Sequence, residues 1–153
     1  MQVVQWTIAA ITAIFVAVVA FLQWRTAQQK AVLDLFDRRR AIYETVRKAV
    51  ETMTSNSNAF DQGREIEFMD AMERAYFFFG DDVVAYLDRL WKAISEVRDA
   101  DGMMKQNPVL NALGKLSEQR TAALKRVTKF HDEGKPLFAR YMRFSQTVPI
   151  WRL

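Results

Sequence analysis

Residues 3–22 read VVQWTIAAITAIFVAVVAFL, and this stretch decides how the chain is organised. It contains only three polar residues, and no charged side chain occurs in residues 1–24. About 20 helical residues at ~1.5 Å each cross a hydrocarbon core of ~30 Å. Trp6 and Trp24 lie roughly 27 Å apart on such a helix, as interfacial aromatic belts do. We therefore expect a transmembrane helix with a short external N-terminus over residues 1–24, marked by Val3, Trp6, Phe15, Leu22 and Trp24.

Two other interpretations of this segment remain open, a cleaved signal peptide and a buried soluble helix. A signal peptide has a basic N-terminal region and an apolar run of only about 7–15 residues. Here the basic residues Arg25, Lys30 and residues 38–40 follow the apolar run instead. Because positively charged flanks stay on the cytoplasmic side, we expect the N-terminus outside and the bulk of the chain in the cytoplasm.

One face of the predicted membrane helix is lined by small side chains. These alanines follow a 4-4-3 spacing: Ala9, Ala13, Ala17 and Ala20. Small residues let two membrane helices approach closely, so this face predicts self-association as a homodimer. Alanine is also common on lipid-facing surfaces, and that alternative stays open.

The helix is expected to continue into the cytoplasm, because no Gly or Pro occurs between Met1 and Asn58. A stripe at 3-4 spacing indicates a face turned to a bundle core. Its members are Val32, Leu35, Arg39, Ile42, Val46, Ala49 and Met53. A loop is predicted over residues 54–63, closed by Gly63.

Glycine and proline divide the remainder into helices. A helix over residues 64–79 is expected to bury the face formed by Ile66, Met69, Met72, Tyr76 and Phe79, with Gly80 as a left-handed cap. The next helix is expected to stop at Gly102 and to bury Val83, Leu87, Leu90, Ile94 and Val97. Asn107 and Pro108 predict the start of a further helix, which stops at residues 134–136, and a short helix follows. We therefore expect an all-α protein, with an antiparallel cytoplasmic bundle of about four helices over residues 25–144 and an irregular tail over residues 145–153.

Two motifs in this region resemble a known group of proteins. Residues 33–44 read LDLFDRRRAIYE and residues 78–87 read FFGDDVVAYL. Together they are similar to the "LDLFDxRxxVYE" and "FLFGxxVxxYL" elements of uncharacterised small bacterial membrane proteins with one N-terminal transmembrane helix. The resemblance covers about half the chain. It implies a location in the bacterial inner membrane and no particular activity.

The composition excludes most site chemistry. The chain has no cysteine and one histidine, which removes disulfides, thiolate metal sites, cysteine nucleophiles and most hydrolase constellations. His131 stands near the end of a predicted helix, where a cation is favoured. We therefore expect no enzyme, no metal and no cofactor. Arg39 falls on the apolar stripe, and a buried guanidinium needs an acidic partner, for which we expect Asp81, Asp82 or an acid of residues 65–73. The alternative is an arginine that binds an anionic ligand.

Charged and aromatic clusters leave several surfaces open to interpretation. The acidic residues Glu65, Glu67, Asp70 and Glu73 predict a solvated face, with a partner-binding face as the alternative. Residues 76–79 are four consecutive aromatics, shared between two helices or used in an oligomer or membrane contact. Residues 103–153 hold ten basic and three acidic residues, and are expected to pack beside the acidic residues 54–102 or on the anionic membrane surface. No nucleic-acid motif is present, so we expect no nucleic-acid partner.

The predicted function is interaction and not catalysis. We expect a single-pass membrane-anchored adaptor or sensor-like module that binds the lipid bilayer and a protein partner. The alternative is a membrane-perturbing effector of phage or defence type.

Overall fold

The structure is a computed structural model that describes residues 2–57, 60–106 and 110–143. For residues 2–11 and 110–113 only the backbone is described. The helices are α1 (Gln2–Ser55), α2 (Gln62–Phe78), α3 (Asp81–Gln106), α4 (Leu110–Thr128) and α5 (Gly134–Met142). A 3₁₀ turn, Lys129–His131, links α4 to α5. No strand occurs among the described residues, so the predicted all-α class is confirmed.

The chain divides into two units, Met1–Asp37 and Arg38–Leu153. The first unit is helical backbone within α1. Among the residues that the structure describes, no helix is both apolar and long enough to cross a bilayer. The side chains of residues 3–11, which make up nearly half of the predicted span, lie outside that description.

The second unit contains one hydrophobic core, to which every helix contributes. From α1 it takes five residues, Ile42, Val46, Ala49, Val50 and Met53, and from α3 it takes the predicted stripe from Val83 to Val97. Phe130 and Phe138 bring in the 3₁₀ turn and α5. The α1 stripe enters the core only from Ile42 onward, because Val32 and Leu35 are exposed in the other unit.

Three expected boundaries are corrected by the structure. Asp61 caps α2 by accepting a hydrogen bond from the Arg64 backbone at 2.9 Å, so Gly63 lies inside the first turn of the helix. Gly102 lies inside α3, where an added Cβ would meet no other atom within 4 Å outside the local helix. Gly134 begins α5 and does not merely end the helix before it. The predicted start at residues 107–108 and the tail over residues 145–153 lie outside the described residues.

Gly80 joins α2 to α3 for a reason other than the predicted left-handed cap. No glycine in the described part of the chain has a positive φ. A Cβ at position 80 would overlap the Tyr141 hydroxyl. Glycine is therefore needed here for the close approach of α5 and not for its backbone freedom.

Candidate functional site

An apolar groove runs between α2 and α3. It encloses about 940 Å³. Its floor is made by Met72, Val84 and Leu87, and the side chains that rise around it are Ile66, Met69, Tyr76 and Phe77. Tyr76 is 69% exposed and Phe77 is 73% exposed, values far from those of a packed aromatic. Both aromatic rings are thus available to a binding partner.

The groove exists because α2 carries two apolar stripes. Phe68, Ala71 and Ala75 face the core and are buried. Ile66 and Met69 each precede a core residue by two positions, which places them about 200° round the helix. The face expected to be buried is therefore mostly the exposed one, and only Met72 and Phe79 of it pack on the core.

The four aromatics at the end of α2 are divided between these two faces. Phe79 is buried and packs edge-on against Phe138, and Phe78 is partly buried. Tyr76 and Phe77 stay exposed and contact each other edge-on at 5.4 Å between centroids. One half of the run packs in the bundle and the other half is exposed along the groove, so the bundle buries only part of the run.

Carboxylates surround the groove, and no Lys or Arg is among the residues that line it. The acidic lining residues are Glu65, Asp70, Glu73 and Asp88. Arg98 pairs with Glu65 at 2.6 Å and Arg74 pairs with Asp70 at 2.9 Å. Glu73 and Asp88 make no ion pair with any residue of the described ranges. Glu67, also in the predicted acidic run, pairs with Arg64 outside the lining.

Arg39 does not bind the aspartates expected for it. Its Nε donates to the Phe78 carbonyl oxygen at 2.8 Å, and Nη1 donates to the Tyr141 carbonyl oxygen at 2.9 Å. The ion pair with Asp81 or Asp82 is therefore wrong: in the described chain the guanidinium joins the ends of α2 and α5 through backbone carbonyls. These acceptors are invisible in a sequence pattern, because every residue carries one.

Asp82 has partners of its own. The Tyr141 hydroxyl donates to its Oδ1 at 2.7 Å, and Arg140 approaches Oδ2 at 3.3 Å. The hydrogen bond from Tyr141 lowers the pKa of the Asp82 carboxyl, and the same bond raises the pKa of the Tyr141 hydroxyl. Asp81 stands beside it in the first turn of α3, where negative charge is favoured by the helix dipole.

In the described part of the basic third, α4 packs beside α3 of the acidic middle, in agreement with the first of the two interpretations. Arg120 binds Asp101 at 2.6 Å, and Arg126 binds Glu96 through both terminal nitrogens. These ion pairs join α4 to α3. They neutralise part of the negative charge of residues 54–102 with part of the positive charge of residues 103–153.

The residues predicted to lie in the membrane are described only in part. Phe15, Leu22 and Trp24 are exposed in the structure, and Val3 and Trp6 lie outside the described side chains. On the alanine face, Ala13, Ala17 and Ala20 are exposed, and the side chain of Ala9 is not among those described.

The groove was missed by the sequence analysis, although the aromatic run at residues 76–79 was a signal for it. No group of three metal-ligating side chains occurs within the described ranges. No protein-family model, curated protein or solved structure matches the chain.

Proposed function

We propose that this chain is a membrane-anchored interaction protein whose helical domain binds another protein in the α2–α3 groove. The observation that carries the proposal is the exposure of Tyr76 and Phe77 above an apolar floor. Contiguous exposed apolar surface of this kind marks interaction sites in soluble domains. Aromatic residues and methionine are also enriched in protein interfaces. The role is therefore binding, not catalysis.

A photo-crosslinking amino acid at position 77 tests this role in cells. The same amino acid at Lys48, exposed on α1, is the matched control. We expect one discrete adduct from position 77 and none from position 48. No adduct at position 77, or the same adducts from both positions, would contradict the proposed binding role.

The proposal assigns residues 1–24 to the bacterial inner membrane, with the N-terminus outside. It is supported by the absence of charge in this segment and by the basic residues that follow it. A C-terminal reporter is expected to read as cytoplasmic, and carbonate extraction is expected to leave the chain in the membrane pellet. A periplasmic C-terminus or release by carbonate would refute this assignment.

The effector alternative makes a different prediction. A protein that perturbs the membrane depolarises the cell rapidly when it is over-expressed, whereas an adaptor is tolerated. Rapid depolarisation on induction would replace the adaptor proposal with the effector one.

A further inference from the structure

We infer that the partner segment held in the α2–α3 groove is a cationic amphipathic helix of about four turns. This inference rests on the proposed binding function and adds the chemistry of the partner to it. Three properties of the groove lead to it: its length, its apolar floor and the sign of its charge.

The length and lining of the groove fit a helix. Its lining residues extend from Gln62 to Phe77 on α2, about 22 Å at ~1.5 Å per residue, and from Val84 to Asp88 on α3, about 6 Å, so α2 supplies most of its length. A bound helix of about 15 residues covers that distance. Amphipathic helices bind apolar grooves through anchors at positions i, i+3 or i+4, and i+7. Met69 and Met72 suit such anchors, because the unbranched thioether side chain adapts its shape to a partner.

The charge of the groove selects the sign of that helix. Four carboxylates line the groove; Glu65 and Asp70 are paired with arginines outside the lining, which leaves Glu73 and Asp88 to attract a partner with basic residues beside its apolar face. Glu73 lies on α2 and Asp88 on α3, and neither has an ion pair within the described chain. Basic residues along both edges of the partner helix therefore find carboxylates on both sides of the groove.

The same charge disfavours two other occupants. An anionic membrane surface attracts basic segments and is repelled by carboxylates, so lipid is a poor match for this face. A second copy that packs groove to groove about a two-fold axis would place like charges opposite each other, which is destabilising. The groove is therefore matched to a different, basic polypeptide.

Three synthetic 15-residue peptides with one shared apolar face test this inference. Their flanking positions carry Lys, Gln or Glu, and they are titrated into the full chain held in neutral-lipid nanodiscs. The readout is the ¹³C-methyl resonances of Met69 and Met72 in the groove, with Met103, exposed on α3 outside the groove, as the internal control. Partition of a peptide into lipid does not shift the groove methyls selectively.

We expect the Lys peptide to bind about tenfold more tightly than the Gln peptide, the effect of two or more exposed ion pairs. The Glu peptide should bind more weakly than either. Glu73→Gln with Asp88→Asn should reduce the Lys peptide to the affinity of the Gln peptide. Glu67→Gln, on α2 but outside the lining, should leave the affinity unchanged.

Equal affinity for the three peptides, or no effect of the double variant, would overturn the inferred charge preference. Groove methyls that respond to anionic vesicles and not to the Lys peptide would assign the face to the membrane and overturn it as well. These results leave the proposed function standing where position 77 still crosslinks to a protein in cells. Loss of that adduct is the separate result that removes the function itself.

Discussion

Replacement of Arg39 by Met tests how the bundle is held together at the end where α2 and α5 meet. The guanidinium donates to the carbonyl oxygens of Phe78 and Tyr141 at 2.8 and 2.9 Å. It also lies 5.8 Å from the Phe79 ring centroid and 5.7 Å from the Tyr141 ring centroid. Methionine keeps the aliphatic stem and removes all four polar interactions.

The expected loss is set by the two hydrogen bonds. A hydrogen bond to a charged group contributes about 1.5–3 kcal/mol, and the lower figure applies here because the site is only part-buried. Each cation–π contact adds about 0.5–1 kcal/mol at an exposed site. Because the four interactions share one side chain they do not add fully. We expect Arg39→Met to lower the free energy of unfolding by about 3 kcal/mol.

Urea unfolding of the full chain in detergent, followed by far-UV circular dichroism, measures this loss. Arg40→Met is the matched control, because Arg40 is 62% exposed and, among the described residues, its ion pair is with Glu44 in the next turn. An exposed pair of this kind contributes about 0.3–0.5 kcal/mol. Equal urea midpoints for the two variants would refute the reasoning. The four contacts of Arg39 would then contribute no more stability than the exposed ion pair of Arg40.

Three further predictions concern other parts of the chain. Gly80→Ala should destabilise the bundle by about 1–3 kcal/mol, because the added methyl group overlaps Tyr141 of α5. Gly102→Ala, where the added methyl group meets no neighbour, should stabilise the bundle by about 0.5–1 kcal/mol. Equal urea midpoints for the two variants would contradict both expectations. Burial raises the pKa of Tyr86 to about 12 from an ordinary value of about 10, so its stabilising effect is complete below pH ~10 and is lost as the pH rises towards 12. Tyr86→Phe should make stability less dependent on pH over that range, and an unchanged alkaline unfolding curve would contradict the assignment. Ala13→Ile with Ala17→Ile should weaken cross-linked dimers in bilayers without a change in the stability of the helical domain, and undiminished cross-linking would rule out the alanine face.

The α1 and α3 stripes could be predicted from the sequence because each of these helices has one dominant apolar face. Between Val83 and Val97, the face of α3 opposite the apolar stripe carries polar residues, so the spacing of apolar residues is enough to identify the buried face. The α1 stripe was right in period but began too early, since Val32 and Leu35 have no bundle to pack against in their own unit. Periodicity reports which side of a helix is apolar and not where its covering helices begin and end.

The partner of Arg39 could not be predicted for a different reason. A sequence shows the charges of side chains, so aspartates were the partners that it suggested for the guanidinium. The geometry offers two carbonyl oxygens at helix ends instead, where the last residues of a helix leave their carbonyls without intrahelical partners. A cation near such an end also interacts favourably with the helix dipole. Tyr141 thus serves twice, since its carbonyl binds Arg39 and its hydroxyl binds Asp82.

The wrong prediction of the buried face of α2 is the one that bears on function. The buried stripe of α2 holds one large residue, Phe68, and two alanines, whereas Ile66, Met69 and Tyr76 of the exposed stripe are all large. A choice by side-chain size selects the wrong stripe, because the small alanines are what let α2 pack closely on the core. A helix that only had to fold would carry polar residues at positions 66 and 69. Apolar residues at these exposed positions contribute little to the core of the bundle, and they line a groove in which Glu73 and Asp88 make no ion pair with any described residue. The exposed stripe is the surface to which we assign the proposed partner.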